Sequence, residues 1–173
     1  MSNGFRMNFL SIASSIISLV SIFEPWWGIA ISSPIVSTSF LWGLTSQPSN
    51  TPGAGVNAAF SQALSTYSPI ILILVLFSIV MGLLGSFSAH RLLLATSLIA
   101  SIGALIGYLG LIGYALTLNC QGNGCIRQVT GSQTVFSFTT SWGFQAGFYI
   151  FLVGSVITIG AIAFHRGFTR MTV

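Results

Sequence analysis

Few side chains in this sequence could carry out chemistry. Its 173 residues contain one carboxylate, Glu24, together with two histidines, two cysteines and no Asp or Lys. General acid–base catalysis needs paired titratable groups, and a hydrolase triad needs an acidic residue to orient its histidine. His90 and His165 cannot lie on one helix as a pair of haem or metal ligands. The sequence therefore predicts a protein that is not an enzyme and that binds no cofactor or metal.

The two cysteines enclose a short segment, Cys120-Gln-Gly-Asn-Gly-Cys125, for which three interpretations are open. A disulfide is favoured because both cysteines fall in a segment expected to face the oxidising exterior, and the glycines permit a tight loop. A redox pair would lack the C-x-x-C spacing and a neighbouring Lys or His that could lower a thiol pKa. A metal site would need further ligands, and the outward segments contain no histidine.

The composition indicates the class of protein to which the chain belongs. Charged residues make up only 3% of the chain, apolar residues 53%, and the mean hydropathy is +0.91. Soluble domains carry about 25% charged residues, and disordered chains are rich in charge, so both classes are excluded. The net charge of +4 comes from five scattered arginines, which argues against a nucleic-acid partner. An integral membrane protein, with membrane lipids as partners, remains.

Four apolar segments without internal charge are predicted to cross the membrane as helices. They cover residues 7–23, 69–87, 92–118 and 144–164. A hydrocarbon core about 30 Å thick requires about 20 apolar residues of helix. The predicted fold is an all-α membrane protein, one domain over residues 1–173, in which four transmembrane helices form a bundle. The first segment is expected to be a retained helix, since no small-residue cleavage site precedes Glu24.

The positions of the basic residues predict the orientation. Four of the five arginines, Arg6, Arg91, Arg166 and Arg170, lie beside the two termini or in the short second connection, as does His90, and only Arg127 lies on the other side. By the positive-inside rule, both termini are cytoplasmic in the cell membrane. The long connections, residues 24–68 and 119–143, then face outward.

The outward segments are predicted to fold into a small β-sheet layer. Alternation through Val36, Thr38, Phe40 and Trp42 favours a strand, and residues 126–139 favour a hairpin around Thr130-Gly131-Ser132. The spacing within residues 57–67 predicts a short amphipathic helix before the second membrane helix. The two segments could pair into one sheet standing on the bundle.

Several residues of these segments have candidate structural roles. Tryptophan prefers the membrane–water interface, so three are interpreted as interfacial anchors: Trp26, Trp27 and Trp142. Glu24 could be held by water and backbone alone, could pair with Arg127 across the two segments, or could bind an ion or a proton. Apolar residues that could make extracellular contacts are Trp42, Gly43, Leu44, Phe136 and Phe138.

Small residues recur at helical spacing on two of the predicted helices. One stripe comprises Ser11, Ser14, Ser18 and Ser21, and the other comprises Gly103, Gly107 and Gly110. Small residues let membrane helices approach closely. Packing inside a single bundle is the favoured interpretation, and a dimerisation face is the alternative.

Short motifs resemble the claudin and peripheral-myelin-protein tetraspan superfamily. They are Pro25-Trp26, Trp42-Gly43-Leu44, Ala89-His90-Arg91-Leu92, Trp142-Gly143 and Gly147-Phe148-Tyr149. The resemblance implies four helices, an elongated third helix, and an outer sheet with a short extracellular helix. The family carries its cysteine pair in the first outward segment, whereas this chain carries its pair in the second, and Thr45 replaces the final tryptophan of the family's motif.

The expected function is a non-enzymatic one. A claudin-like tetraspan would mediate lateral or trans protein contacts in self-assembly, adhesion or membrane organisation, as a homo-oligomer or with other membrane proteins. The alternative is an accessory structural subunit of a larger membrane complex or of a viral envelope. A channel or transporter is disfavoured because no charged residue lies within the apolar segments.

Overall fold

The computed structural model describes residues 7–31, 35–46, 58–88, 90–119, 128–135 and 138–170. These residues form four helices and five strands in a mostly helical fold. In chain order the elements are α1 (Phe9–Phe23), β1 (Trp27–Ile31), β2 (Ile35–Phe40), β3 (Gly43–Ser46), α2 (Ala58–Phe87), α3 (Arg91–Asn119), β4 (Gly131–Val135), β5 (Phe138–Phe144) and α4 (Ala146–Arg170).

Three of the helices are long and apolar enough to cross a membrane. The spans are Ala59–Phe87, Arg91–Leu118 and Ala146–His165, with mean hydropathies of 2.8, 2.1 and 2.1. At 1.5 Å per residue each exceeds or matches the hydrocarbon thickness. The chain therefore has the helices of a membrane-embedded protein. The first helix, Phe9–Phe23, is apolar but only 15 residues long.

α2 corrects one boundary of the sequence prediction. The separate amphipathic helix and the membrane helix starting at Pro69 are one continuous helix of 30 residues. Proline is favoured in the first turn of a helix, so the sequence pattern predicts that a helix begins at Pro69. A single buried stripe nevertheless runs through this point, comprising Phe60, Leu64, Ser68, Ile71 and Val75. Packing along this stripe holds the helix together across the proline.

The five strands form one antiparallel sheet in the order β3-β2-β1-β5-β4. β1 lies at the centre, where Gly28 pairs with Thr38 of β2 and Ile29 pairs with Trp142 of β5. The prediction that the two long connections pair into one sheet is confirmed. The predicted hairpin turn at Thr130-Gly131-Ser132 is wrong, because β4 begins at Gly131, which pairs with Trp142.

The helices pack as an antiparallel bundle with the sheet at one end. The most extensive contacts join α2 to α3 and α1 to α4. At the end away from the sheet, the Asn8 amide donates to Ser86 O over 2.9 Å and its side-chain Nδ2 donates to Ala161 O over 3.0 Å. Asn8 also caps α1 by accepting a hydrogen bond from the Ser11 amide. The chain therefore reaches the sheet end after α1 and again after α3.

Candidate functional site

Two adjacent tryptophans join the sheet to the bundle. Trp26 and Trp27 are both fully buried. The indole Nε1 of Trp26 donates to Ser21 O over 2.8 Å, and that of Trp27 donates to Val129 O over 2.9 Å. A buried indole N–H requires such a partner, and each side chain has one. Their interpretation as interfacial anchors is therefore wrong, because both rings are core residues.

Trp26 is the centre of an aromatic layer between the sheet and the helices. Its ring lies 5.0 Å from that of Tyr108, 6.0 Å from Phe148 and 5.3 Å from Phe151, measured between ring centroids. The Tyr108 hydroxyl donates to Ser39 Oγ of β2 over 3.2 Å. α3 and α4 are thereby fixed to the sheet through one cluster of rings. Aromatic pairs of this kind each contribute about 0.5–1.5 kcal/mol beyond their buried area.

The start of α4 packs so closely against this aromatic layer that no side chain fits between them. The Gly147 amide donates to Pro25 O over 2.8 Å. A Cβ at position 147 would lie 2.5 Å from Trp26 Cδ1 and 2.6 Å from Glu24 O. Only glycine fits this contact without movement of the neighbouring backbone. The junction of α1, β1 and α4 therefore depends on Gly147.

A network of serine hydroxyls fills the interior of the bundle on the side away from the sheet. Ser11 Oγ of α1 donates to Gly82 O over 2.7 Å, and Ser78 Oγ of α2 lies 2.6 Å from Ser101 Oγ of α3. On the other side of α1, Ser14 Oγ donates to Gly154 O of α4 over 2.8 Å. The described partners of these hydroxyls are backbone carbonyls and other hydroxyls. It joins the four helices, so the predicted serine stripe packs within one chain.

The glycine stripe of α3 does not pack in the same way. Gly107 faces Ile71 of α2, and a Cβ there would lie 2.9 Å from its Cδ1. A Cβ at Gly103 or at Gly110 would have no described neighbour within 4 Å outside its own helix. Ile99 and Ile106 are 69% and 64% exposed beside them. Gly103, Gly110, Ile99 and Ile106 define the glycine face of α3.

An exposed aromatic patch lies where the end of α1 next to the sheet meets the turn between β2 and β3. Trp42 is 49% exposed and stacks on Phe40, with 4.9 Å between ring centroids and 15° between the planes. The ring of Phe23, the last residue of α1, lies 6.0 Å from that of Trp42. Trp42, Phe40 and Phe23 define the aromatic patch.

Most of the other predicted site residues are described in part or not at all. Cys120, Cys125, Arg127 and Phe136 lie outside the described residues, so the disulfide and the ion pair with Glu24 stay predictions. Gly43 and Leu44 lie in β3 and Phe138 lies in β5, and for these three residues only the backbone is described. Trp142 is half-buried in β5, and its Nε1 donates to Gln128 O over 2.8 Å.

The described residues contain no group of three or more His, Cys, Asp or Glu side chains that could hold a metal. The aromatic layer and the serine network pack within the chain, and the glycine face and the aromatic patch are suited to contact with other molecules. The fold defines a class, a helical membrane protein with a small antiparallel sheet at one end of its bundle. Neither a protein-family model nor a curated protein matches the sequence.

Two determinants of this arrangement were not found from sequence. The sequence pattern singles out Gly147 only as part of the motif Gly147-Phe148-Tyr149, and it does not single out Gly82. A Cβ at Gly82 would lie 2.7 Å from Ser15 Oγ and 3.2 Å from Ser97 Oγ. Their position among serines and aromatic residues was the available signal, because small residues cluster where membrane helices touch. The sequence does not reveal which glycines face inward.

Proposed function

We propose that this protein is a non-enzymatic, four-pass membrane protein that mediates lateral contacts between membrane proteins, in the first place between copies of itself. α1 serves as the fourth span, both termini are cytoplasmic, and the sheet is extracellular. The sheet layer would add lateral or trans contacts. This role resembles that expected for a claudin-like tetraspan.

Two observations support the four-pass arrangement. α1 lies along α4 and α2, joined to them by hydrogen bonds from Ser14 and Ser11. This packing against two apolar spans supports a position of α1 in the same bilayer. The end of the bundle away from the sheet carries Arg91 and the last turns of α4 with Arg166 and Arg170. Positive charge at that end favours a cytoplasmic location.

The glycine face of α3 is the observation that carries the proposal. Two glycines seven residues apart face outward from a long apolar helix, and exposed isoleucines flank them. Such a groove lets a second helix approach closely enough for backbone contacts, which drive helix association where lipid offers no hydrophobic gain. In a single copy no described residue packs against Gly103 or Gly110 within 4 Å outside their own helix.

Association in a bilayer tests the proposal. The fraction of dimer or oligomer is measured by fluorophore-step counting in liposomes over a range of protein-to-lipid ratios. Gly110→Leu should weaken association at least tenfold, about 1.4 kcal/mol, because it fills the groove. Gly160→Leu is the matched control, since a Cβ at this glycine of α4 also meets no described neighbour within 4 Å. A wild-type protein that is monomeric at every ratio would refute self-association, and stoichiometric recovery with other chains would favour an accessory subunit.

A further inference from the structure

α1 is too short to cross the hydrocarbon core unaided. Its 15 residues give about 22 Å of helix, whereas the core is about 30 Å thick. α2 and α3, with 30 and 29 residues, each give more than 40 Å. Asn8, directly before α1, donates its amide to Ser86 O in the last turn of α2, so the two helices are level at the end away from the sheet. The shortfall of about 8 Å therefore falls at the end of α1 next to the sheet. Residues adjacent to that end lie within the membrane boundary.

The aromatic patch lies at the outer end of α1 and continues its exposed face. Val20 and Phe23 are 47% and 68% exposed on the last turns of the helix. Trp42 follows them in space, with its ring near that of Phe23 and stacked on Phe40. The apolar surface that α1 presents to lipid therefore extends onto the turn between β2 and β3.

The residue that follows Phe23 sets the depth of this surface. Glu24 leaves the helix in an extended conformation and is half-buried. A carboxylate is unfavourable in hydrocarbon and is stable among lipid headgroups and water. The patch therefore spans the region between acyl chains and headgroups, which is the depth that tryptophan prefers.

We propose that Phe23, Phe40 and Trp42 form a membrane-interface anchor that inserts into the boundary between the acyl chains and the headgroups of the outer leaflet. The occupant of this surface is lipid. The anchor supplies the apolar length that α1 lacks and holds the sheet against the bilayer surface. It does the work that the sequence assigned to Trp26 and Trp27, which the fold buries.

Quenching by brominated phosphatidylcholine tests the anchor in vesicles that contain the full chain. Bromine atoms near the glycerol end of the acyl chain should quench tryptophan fluorescence more than bromine atoms near the chain terminus, because the anchor is shallow. Trp42→Phe should remove most of the quenching. Trp142→Phe is the matched control, since it also removes one tryptophan but should keep the quenching.

Three outcomes would overturn the anchor. Equal bromolipid quenching in the wild type and in Trp42→Phe would show that Trp42 does not touch lipid. Quenching of Trp42 by aqueous iodide instead would place the patch in water. Quenching that appears only at high dilution in lipid would show that a second copy covers the patch. An unchanged thermal unfolding midpoint of Trp42→Phe ensures that the comparison is made on folded protein.

Discussion

Replacing Gly147 with alanine should loosen the junction between the sheet and the bundle. The added methyl group would lie 2.5 Å from Trp26 Cδ1 and 2.6 Å from Glu24 O. The tryptophan is fully buried and its Nε1 is bonded to Ser21 O, so its ring cannot rotate away without losing that bond. The carbonyl belongs to the backbone and can move only if the end of α1 moves.

The expected loss of stability follows from these two contacts. Inserting a methyl group into a closely packed core destabilises a protein by about 1–3 kcal/mol. If α4 shifts to relieve the contact, the hydrogen bond from the Gly147 amide to Pro25 O lengthens as well, which costs a further ~1 kcal/mol. Alanine favours a helix over glycine by up to ~1 kcal/mol in a helix interior. Gly147 is the second residue of α4, where this gain is smaller. The free energy of unfolding should therefore fall by about 1–3 kcal/mol.

Unfolding by a graded mole fraction of sodium dodecyl sulfate, followed by circular dichroism and tryptophan emission, measures this change. Gly160→Ala is the control on the same helix, because a Cβ at Gly160 has no described neighbour within 4 Å outside its own helix. It should be neutral or stabilising. Tryptophan emission of Gly147→Ala should also shift to longer wavelength in the native state, as water reaches Trp26. A Gly147→Ala protein as stable as Gly160→Ala would refute the close contact at the junction.

Two further predictions concern other parts of the chain. Gly82→Ala should lower the free energy of unfolding by about 1–3 kcal/mol, because its methyl group meets Ser15 Oγ at 2.7 Å. Adding Ser15→Ala should recover part of that loss in a double-mutant cycle, and strict additivity of the two changes would contradict the packing. Cys120 and Cys125 should both resist a maleimide reagent in the folded, non-reduced protein and react after reduction with a loss of roughly 2 kcal/mol of stability; reaction of both without reductant would exclude the disulfide.

The helices could be predicted from the sequence because a long, uncharged, continuously apolar segment is stable in a bilayer as a helix. The predicted third helix, residues 92–118, agrees with Arg91–Asn119 within one residue at each end. The pairing of the two outward segments could also be predicted, since alternating strands in adjacent segments bury their apolar faces together. The boundary at Pro69 could not, because it depends on a buried stripe that spans the proline.

The roles of individual tryptophans could not be predicted, because hydropathy does not distinguish a ring at the membrane surface from a ring in the core. Trp26 and Trp27 follow α1 directly, where an interfacial anchor is common. The sheet turns back over them and supplies acceptors at Ser21 O and Val129 O. Trp42 lies in a turn, yet its ring is the exposed one. Tertiary contacts between segments distant in sequence decide this exchange of roles.

Glycines of α2 and α4 pack against serines of α1, whereas two glycines of α3 have no such neighbour among the described residues. This contrast bears on the proposed contacts. A glycine in a helix interior costs about 1 kcal/mol relative to alanine. At Gly82 and Gly154 the cost is offset within the chain, because serine hydroxyls of α1 occupy the space that a side chain would take. At Gly103 and Gly110 the described chain supplies no such neighbour, so in a single copy the cost is not offset. A helix from a second protein packed on the glycine face would offset it, and would do so without any charged residue in the membrane.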